Sequence, residues 1–177
     1  MAIQLVKTNK EDDNFERKTI GYDIKHERIN ELKRGFDSTN EIEKNDLNFL
    51  EEITLTSDVN KLTDADVFIV TVPTPIDINN LPNLDPLINA CKEIGNVVKT
   101  RNIIKKEIAS VIIFESTVYP GTTEEICVPI IEEESGLYLN NEFYCGYSPE
   151  RINPGDKDHR LPNIVKVTSG SDDKSSD

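Results

Sequence analysis

Short apolar runs alternate with helical patterns along most of this chain, and that alternation constrains the fold more than any other feature. Residues 66–72 (D-V-F-I-V-T-V) and 111–114 (V-I-I-F) are nearly continuous apolar runs, which are typical of strands covered on both faces. Between them, residues 84–98 carry Leu, Ile, Cys and Val at helical spacing. Because long crossovers join parallel strands, the pattern predicts a doubly wound, mostly parallel α/β sheet with right-handed connections.

The same alternation continues on both sides of this central unit. Asn83 is expected to be the N-cap of the helix at 84–98, and Gly35 and Gly136 are expected to end two other helices. Further strands are predicted at 18–23, 53–56, 143–147 and 164–167, further helices at 25–35 and 121–134, and short helices or turns within 37–49 and 59–63. The polar residues that follow Thr168 are expected to be disordered.

Length and charge exclude several classes of protein. A chain of 177 residues can bury one core, so a single domain is expected. We place it at 18–170, between an atypical N-terminal segment at 1–17 and a disordered tail at 171–177. The 20 basic and 33 acidic residues give a net charge of −13, which disfavours nucleic acid and anionic membrane surfaces as partners. No run of about 18 apolar residues and no signal peptide occurs, so a soluble, cytoplasmic protein is expected.

The cysteines and histidines indicate no metal site. Cys91, Cys127 and Cys145 are odd in number, far apart and in no C-x-x-C pair, which favours reduced thiols over a disulfide framework or a zinc site. His26 and His159 form no constellation with other metal ligands.

Asp23 ends the first predicted strand and is a candidate cofactor ligand. Dinucleotide-binding folds place a carboxylate there to accept hydrogen bonds from the ribose hydroxyls of NAD. Its charge would also repel the 2′-phosphate of NADP. Arg28, five residues later, could reach an adenosine or a phosphate. The alternative is that Asp23 simply caps the helix that follows.

Three loops follow predicted strands, at the edge of the sheet where α/β folds carry their chemistry. They contain V-P-T-P at 72–75, E-S-T at 115–117 and S-P-E-R at 148–151. Each has a simpler explanation: a proline-rich end to a strand, a Ser/Thr turn, and a solvated Glu-Arg ion pair.

In this order, the longer segments T-V-P-T-P-I-D (71–77), E-S-T-V-Y-P-G-T-T-E (115–124) and G-Y-S-P-E-R-I-N-P-G-D (146–156) resemble the NAD-binding domain of the UDP-glucose/GDP-mannose dehydrogenase family. The resemblance covers about 21–170 and leans towards the branch that oxidises UDP-N-acetylhexosamines. It implies a Rossmann-like fold, NAD as cofactor and a UDP-sugar substrate. The implied reaction oxidises the C6 hydroxyl to a carboxylate by two hydride transfers, for surface polysaccharide biosynthesis.

The resemblance also assigns roles to individual residues. Thr117 and Glu150 become candidate catalytic residues, with Glu150 handling a proton or positioning water and Thr117 holding a water or a substrate hydroxyl. Candidate cofactor contacts are Asp23, Arg28, Val72, Pro73, Thr74, Ser116 and Thr117, and candidate substrate contacts are Glu150, Arg151 and Asn153.

Two features of the family are missing from this sequence. No G-x-G-x-x-G occurs, so the usual first strand and the Gly-rich loop that cradles the pyrophosphate are lacking. The family also continues into a domain that supplies the catalytic cysteine, and none of the three cysteines here stands in a matching motif.

Three interpretations remain open: a portion of an active oxidoreductase, an inactive remnant that binds nucleotide weakly, or a half that complements a separate C-terminal half. A homodimer or the missing C-terminal domain would then be the protein partner.

Overall fold

A computed structural model describes residues 1–11, 17–76, 78–105, 108–149 and 166–172. By their contacts, these residues divide into two compact units. The first unit is drawn from Met1–Leu62, and the second from Thr63–Arg151 and Val165–Asp177. Each unit has its own sheet. The domain boundaries given above stay a prediction.

The first unit is built on two parallel strands, β1 (Thr19–Tyr22) and β2 (Ile53–Thr56). Helix α2 (His26–Lys33) joins them in the predicted order, and Gly35 ends it with a φ of +69°, a conformation that glycine adopts without strain. Helix α1 (Ala2–Glu11) precedes β1, where the sequence had predicted no element. Two 3₁₀ segments occupy Lys44–Glu52 and Val59–Asp64. The buried core consists of Val6, Ile29, Leu50, Ile53 and Leu55.

The second unit contains the central strands of the prediction. Strands β3 (Val67–Val70), β4 (Ser110–Phe114) and β5 (Phe143–Tyr147) are parallel neighbours in that order. Helix α3 (Asp85–Ile104) joins β3 to β4. A π-helical turn at Thr123–Cys127 continues into α4 (Val128–Ser135), which leads towards β5. The carboxyl ends of β3, β4 and β5 therefore share one edge of the sheet.

The last predicted strand, at 164–167, is wrong for the two of its residues that the structure describes. Lys166 and Val167 belong to no strand, and β6 (Ser169–Gly170) instead pairs antiparallel with β5. Ser171, which we expected to be disordered, donates its N–H to the carbonyl oxygen of Cys145 over 2.8 Å. Periodicity missed this strand because serine and glycine carry no apolar signal, whereas pairing depends on backbone hydrogen bonds.

Helices α3 and α4 pack closely against each other. Buried residues recur along α3 at helical spacing, including Leu87, Cys91, Ile94 and Val98. An added Cβ at Gly95 would lie 2.6 Å from the Cβ of Glu134, so only glycine allows this approach. Asn83 was predicted as the N-cap of α3, and this is wrong by one position: the N-cap is Leu84, although Asn83 Oδ1 accepts the N–H of Asp85 over 2.8 Å.

A buried arginine fixes the far end of α3. Arg101 is almost fully buried. Its guanidinium donates to the carbonyl oxygen of Ile108 over 2.7 Å and to Ser110 Oγ over 3.1 Å, and it pairs with Asp66. A buried charge must be paired and hydrogen-bonded, so these contacts join α3 to the amino ends of β3 and β4.

The pairing within each sheet is parallel where the doubly wound pattern predicts it. In the first unit β1 pairs with β2, and in the second unit β3, β4 and β5 are neighbours in that order. None of the described helices is both long and apolar enough to cross a membrane.

Candidate cofactor site

A cleft opens at the carboxyl ends of β3 and β4. Its lining consists of Thr71, Val72, Pro73 and Thr74 after β3, and of Glu115, Ser116 and Thr117 after β4. Its volume of about 220 Å³ is below the roughly 300–1,000 Å³ of pockets that enclose a whole small molecule. The cleft is therefore of a size to receive one end of a larger ligand.

Hydrogen bonds between the two loops give the cleft its shape. Ser116 Oγ donates to the carbonyl oxygen of Val72 over 2.7 Å, and Thr74 Oγ1 donates to the carbonyl oxygen of Thr117 over 2.8 Å. The backbone N–H of Glu115 donates to the carbonyl oxygen of Val70 over 2.9 Å. The structure thus brings five predicted cofactor residues together, and it gives the Thr74 and Ser116 hydroxyls a role in holding the loops. The side chain of Thr117 is exposed at the cleft.

Glu115 and Lys166 form an ion pair at the cleft. The side chain of Glu115 is only 7% exposed and that of Lys166 is 23% exposed. Lys166 was not among the predicted site residues, although a lysine within the apolar run I-V-K-V indicates a charge that must find a partner.

Asp23 follows β1 in the first unit and makes a local turn. Its Oδ1 accepts the N–H of Lys25 over 2.8 Å, and its own N–H donates to the carbonyl oxygen of Thr56 over 3.2 Å. This is an Asx-type turn into α2, close to the simpler alternative for this residue. An ionised carboxylate can still accept several more hydrogen bonds, so the turn is compatible with ribose binding.

Arg28 is engaged inside the first unit. Its Nη2 lies 2.7 Å from Asp37 Oδ1 and donates to Thr39 Oγ1 over 3.3 Å. The Asp37 carboxylate, 3% exposed, also accepts N–H groups of residues 39, 41 and 42. Burial opposes ionisation, but the hydrogen bonds from Thr39, Ile42 and Arg28 hold the pKa of Asp37 well below its usual range. These contacts commit the Arg28 guanidinium to Asp37, and its role towards the cofactor stays a prediction.

The three cysteines are buried and free. Hydrogen bonding between Cys91 and Cys127 raises the pKa of Cys91 and lowers that of Cys127, while burial raises the pKa of Cys145 to about 12. Cys127 is only 1% exposed, so a thiolate there could not reach a substrate. The expectation that none of the three is the family's nucleophile stays a prediction.

Glu150, Arg151 and Asn153 lie outside the described residues, so their roles stay predictions. Within the described ranges, no group of three or more His, Cys, Asp or Glu residues could hold a metal ion.

Each unit, taken by itself, has a feature that fits part of NAD. In the first unit a carboxylate follows β1, and in the second a cleft lies where the strands of an open α/β sheet usually present their ligand. The turn that would receive a pyrophosphate has no counterpart, because the chain contains no G-x-G-x-x-G.

Comparisons with known proteins point to one family. Residues 12–177 match the NAD-binding domain of the UDP-glucose/GDP-mannose dehydrogenase family. The chain is 51% identical, over 88% of its length, to a UDP-N-acetyl-D-glucosamine 6-dehydrogenase of Pseudomonas aeruginosa, and 46% identical over the same share to one of Salmonella typhi. It covers only 35% of each relative, so it spans about a third of their length. The family and these relatives support NAD as the cofactor.

Solved structures show the same fold. A UDP-D-ManNAc dehydrogenase of Pyrococcus horikoshii superposes with a TM-score of 0.77 at 26% identity, over 98% of this chain and 38% of that one. A ternary complex of GDP-mannose dehydrogenase from Pseudomonas aeruginosa gives 0.72 at 25% identity, over 86% and 33%. They confirm the predicted Rossmann-like α/β class. The chain therefore belongs to the UDP-glucose/GDP-mannose dehydrogenase family, and the part of that family which it matches is the NAD-binding domain.

Proposed function

We propose that this chain is the NAD-binding portion of a nucleotide-sugar 6-dehydrogenase, which oxidises the C6 hydroxyl of a UDP-N-acetylhexosamine to a carboxylate for surface polysaccharide biosynthesis. The observation that carries the proposal is the cleft at the carboxyl ends of β3 and β4, which is lined by residues 71–74 and by the E-S-T segment at 115–117. Support for the substrate class comes from the two relatives named as UDP-N-acetyl-D-glucosamine 6-dehydrogenases.

The cleft supplies binding and orientation. NAD, when bound, accepts hydride from the substrate carbon. The hydroxyls of Ser116 and Thr74 donate to backbone carbonyls across the cleft, so they fix the two loops that line it. The exposed side chain of Thr117 is then available to hold a water or a substrate hydroxyl, while Val72 and Pro73 provide apolar surface.

Asp23 and Glu150 complete the proposed set. Asp23 accepts hydrogen bonds from the ribose hydroxyls of NAD, and its charge disfavours a 2′-phosphate. Glu150 handles a proton or positions water, a role assigned from its S-P-E-R segment alone. Arg151 and Asn153, in the same segment, contact the substrate.

The remaining chemistry needs residues from elsewhere in a full-length enzyme. Oxidation to a carboxylate through a thioester requires an accessible thiolate, and the three cysteines here are buried. The chain alone is therefore proposed to bind NAD weakly and not to turn over. The second candidate function is an inactive remnant or a half that complements a separate C-terminal half. The lack of a Gly-rich turn favours weak NAD binding for this candidate as well.

A chimera separates the portion of an active enzyme from an inactive remnant. In the Pseudomonas aeruginosa relative, the segment aligned with residues 18–170 would be replaced by this chain's sequence, while the rest of that protein is kept. The chimera is expected to produce NADH from UDP-N-acetyl-D-glucosamine. A folded chimera that still binds the UDP-sugar but yields no NADH would overturn the proposal in favour of the remnant.

A further inference from the structure

We propose that Lys166 is a positioning residue, whose ammonium holds the buried carboxylate of Glu115 and thereby fixes the 115–117 loop that lines the cofactor cleft. The inference rests on the proposed function, because it assigns the loop to NAD binding. It adds a residue from outside the motifs that carry the resemblance.

Because Glu115 is buried, the position of its loop depends on its ion pair with Lys166. The Glu115 side chain is 7% exposed, and a carboxylate removed from water is stable only where a cation or hydrogen-bond donors compensate it. Lys166 is the cation that the described residues bring to it. The place of the carboxylate therefore depends on the place of the ammonium.

The sheet places that ammonium. Lys166 lies three residues before β6, and β6 is held to β5 by the pairs Gly146 with Gly170 and Tyr147 with Ser169. The lysine thus approaches from a segment anchored beside β5, whereas the loop that it holds follows β4. On its other side, the loop is joined to the residues after β3 by the Ser116 and Thr74 hydroxyls.

These contacts give the three residues of the E-S-T segment different roles. Glu115 is tied by its side chain to Lys166 and by its N–H to Val70, and Ser116 is tied to Val72. Thr117 is left with an exposed side chain at the cleft. Glu115 is accordingly a structural carboxylate.

The test compares five versions of this chain by NMR: wild type, Lys166→Met, Lys166→Arg, the charge-swapped double variant Glu115→Lys/Lys166→Glu, and the control Lys99→Met, an exposed lysine of α3. Amide shifts of residues 115–117 are recorded without ligand. Saturation transfer to the nicotinamide protons of added NAD⁺ is then measured in the same samples.

Lys166→Met should move the 115–117 amide resonances and weaken NAD⁺ binding by roughly tenfold, the usual order of coupling between contacting residues. Lys166→Arg and the charge swap should restore both readouts, and Lys99→Met should change neither. If Lys166 acted only through packing, the variant with the two charges exchanged would not restore either readout. Should Lys166→Met alone unfold the unit, Glu115→Gln/Lys166→Met removes both charges and provides the same comparison.

The inference is overturned if Lys166→Met leaves the 115–117 resonances unchanged, or if the charge swap restores neither readout. Unchanged NAD⁺ binding in Lys166→Met, beside a binding wild type, would equally overturn it. If the wild type itself shows no saturation transfer, the proposed cofactor role fails, and the positioning role is then decided by the unliganded amide shifts alone.

Discussion

The hydroxyl of Thr74 donates a hydrogen bond to the carbonyl oxygen of Thr117 over 2.8 Å, and so joins two loops that are 43 residues apart in the chain. Thr74→Val keeps the β-branched shape but removes the donor. We expect the free energy of unfolding to fall by about 0.5–1.5 kcal/mol, the usual net contribution of one hydrogen bond, and NAD binding to weaken as well.

Thr100→Val is the matched control for this change. It removes a similar bond, from Thr100 Oγ1 to the carbonyl oxygen of Asn96 over 3.1 Å, on the exposed side of α3. Denaturant unfolding and NAD titration of both variants separate the two effects. Equal NAD binding by Thr74→Val and wild type would show that the loop contact is not needed for the cleft.

Gly95→Ala should destabilise the second unit, against the helix propensity of alanine. Alanine gains about 1 kcal/mol over glycine within a helix, but its Cβ would lie 2.6 Å from the Cβ of Glu134. Overpacking of this kind costs about 1–3 kcal/mol, so the expected net change is a loss of up to about 2 kcal/mol. The melting temperature of Gly95→Ala is compared with those of wild type and of Lys99→Ala, a control at an exposed position of α3. A higher melting temperature for Gly95→Ala would contradict the close helix contact.

Asp37 should make the stability of the first unit depend on pH in the acid range. Its folded-state pKa lies below the ordinary value of 3.8, so the ionised carboxylate contributes stability that is fully present above that value and is lost as the pH falls below it. Asp37→Asn should therefore be less stable than wild type at pH 7, by about 1–3 kcal/mol. The difference should shrink as the pH falls below about 4.

Urea unfolding of both proteins between pH 7 and pH 2 measures this difference. A constant difference over the whole range would show that Asp37 does not stabilise the fold through its charge.

The elements could be predicted from the sequence because their signals are local. The apolar runs at β3 and β4 and the helical spacing within α3 are each contained in a short stretch of chain. Local signals also explain the failures. The two residues of β6 carry no apolar pattern. Helix α1 lies in a segment that we had considered only for a signal peptide and a Gly-rich strand, and so it was not predicted.

The site was predicted less completely than the fold, because its contacts join distant residues. Motif order identified the two loops of the cleft, but nothing local to Glu115 reveals that Lys166, 51 residues later, is its partner. Arg101 was missed for a similar reason: a charged residue near the end of a helix is usually solvated, and its burial depends on Asp66 and Ser110.

Glu150 and Thr117 can be tested only within an intact enzyme. In the chimera described above, Glu150→Gln should lower turnover by roughly 10²-fold or more, the usual scale for loss of an acid-base group. The KM for the UDP-sugar should move far less, because a group that acts in the transition state contributes little to ground-state binding. Thr117→Ala should be milder, since an ordered water can replace part of its hydrogen bonding. Steady-state kinetics measure both effects. If turnover by Glu150→Gln stays within about twofold of the unmutated chimera, Glu150 does not handle a proton.

We propose that the cleft at residues 71–74 and 115–117 receives the nicotinamide end of NAD. A titration of this chain with NAD⁺, followed by amide shifts, tests it most directly, with ADP-ribose as the ligand that lacks the nicotinamide. We expect saturable shifts at Thr74, Ser116 and Thr117 with NAD⁺ and much smaller ones with ADP-ribose. Without a Gly-rich turn the Kd should be on the order of 1 mM, or about −4 kcal/mol. Shifts at these residues that are equal for both ligands, or absent while other residues respond to NAD⁺, would contradict the account.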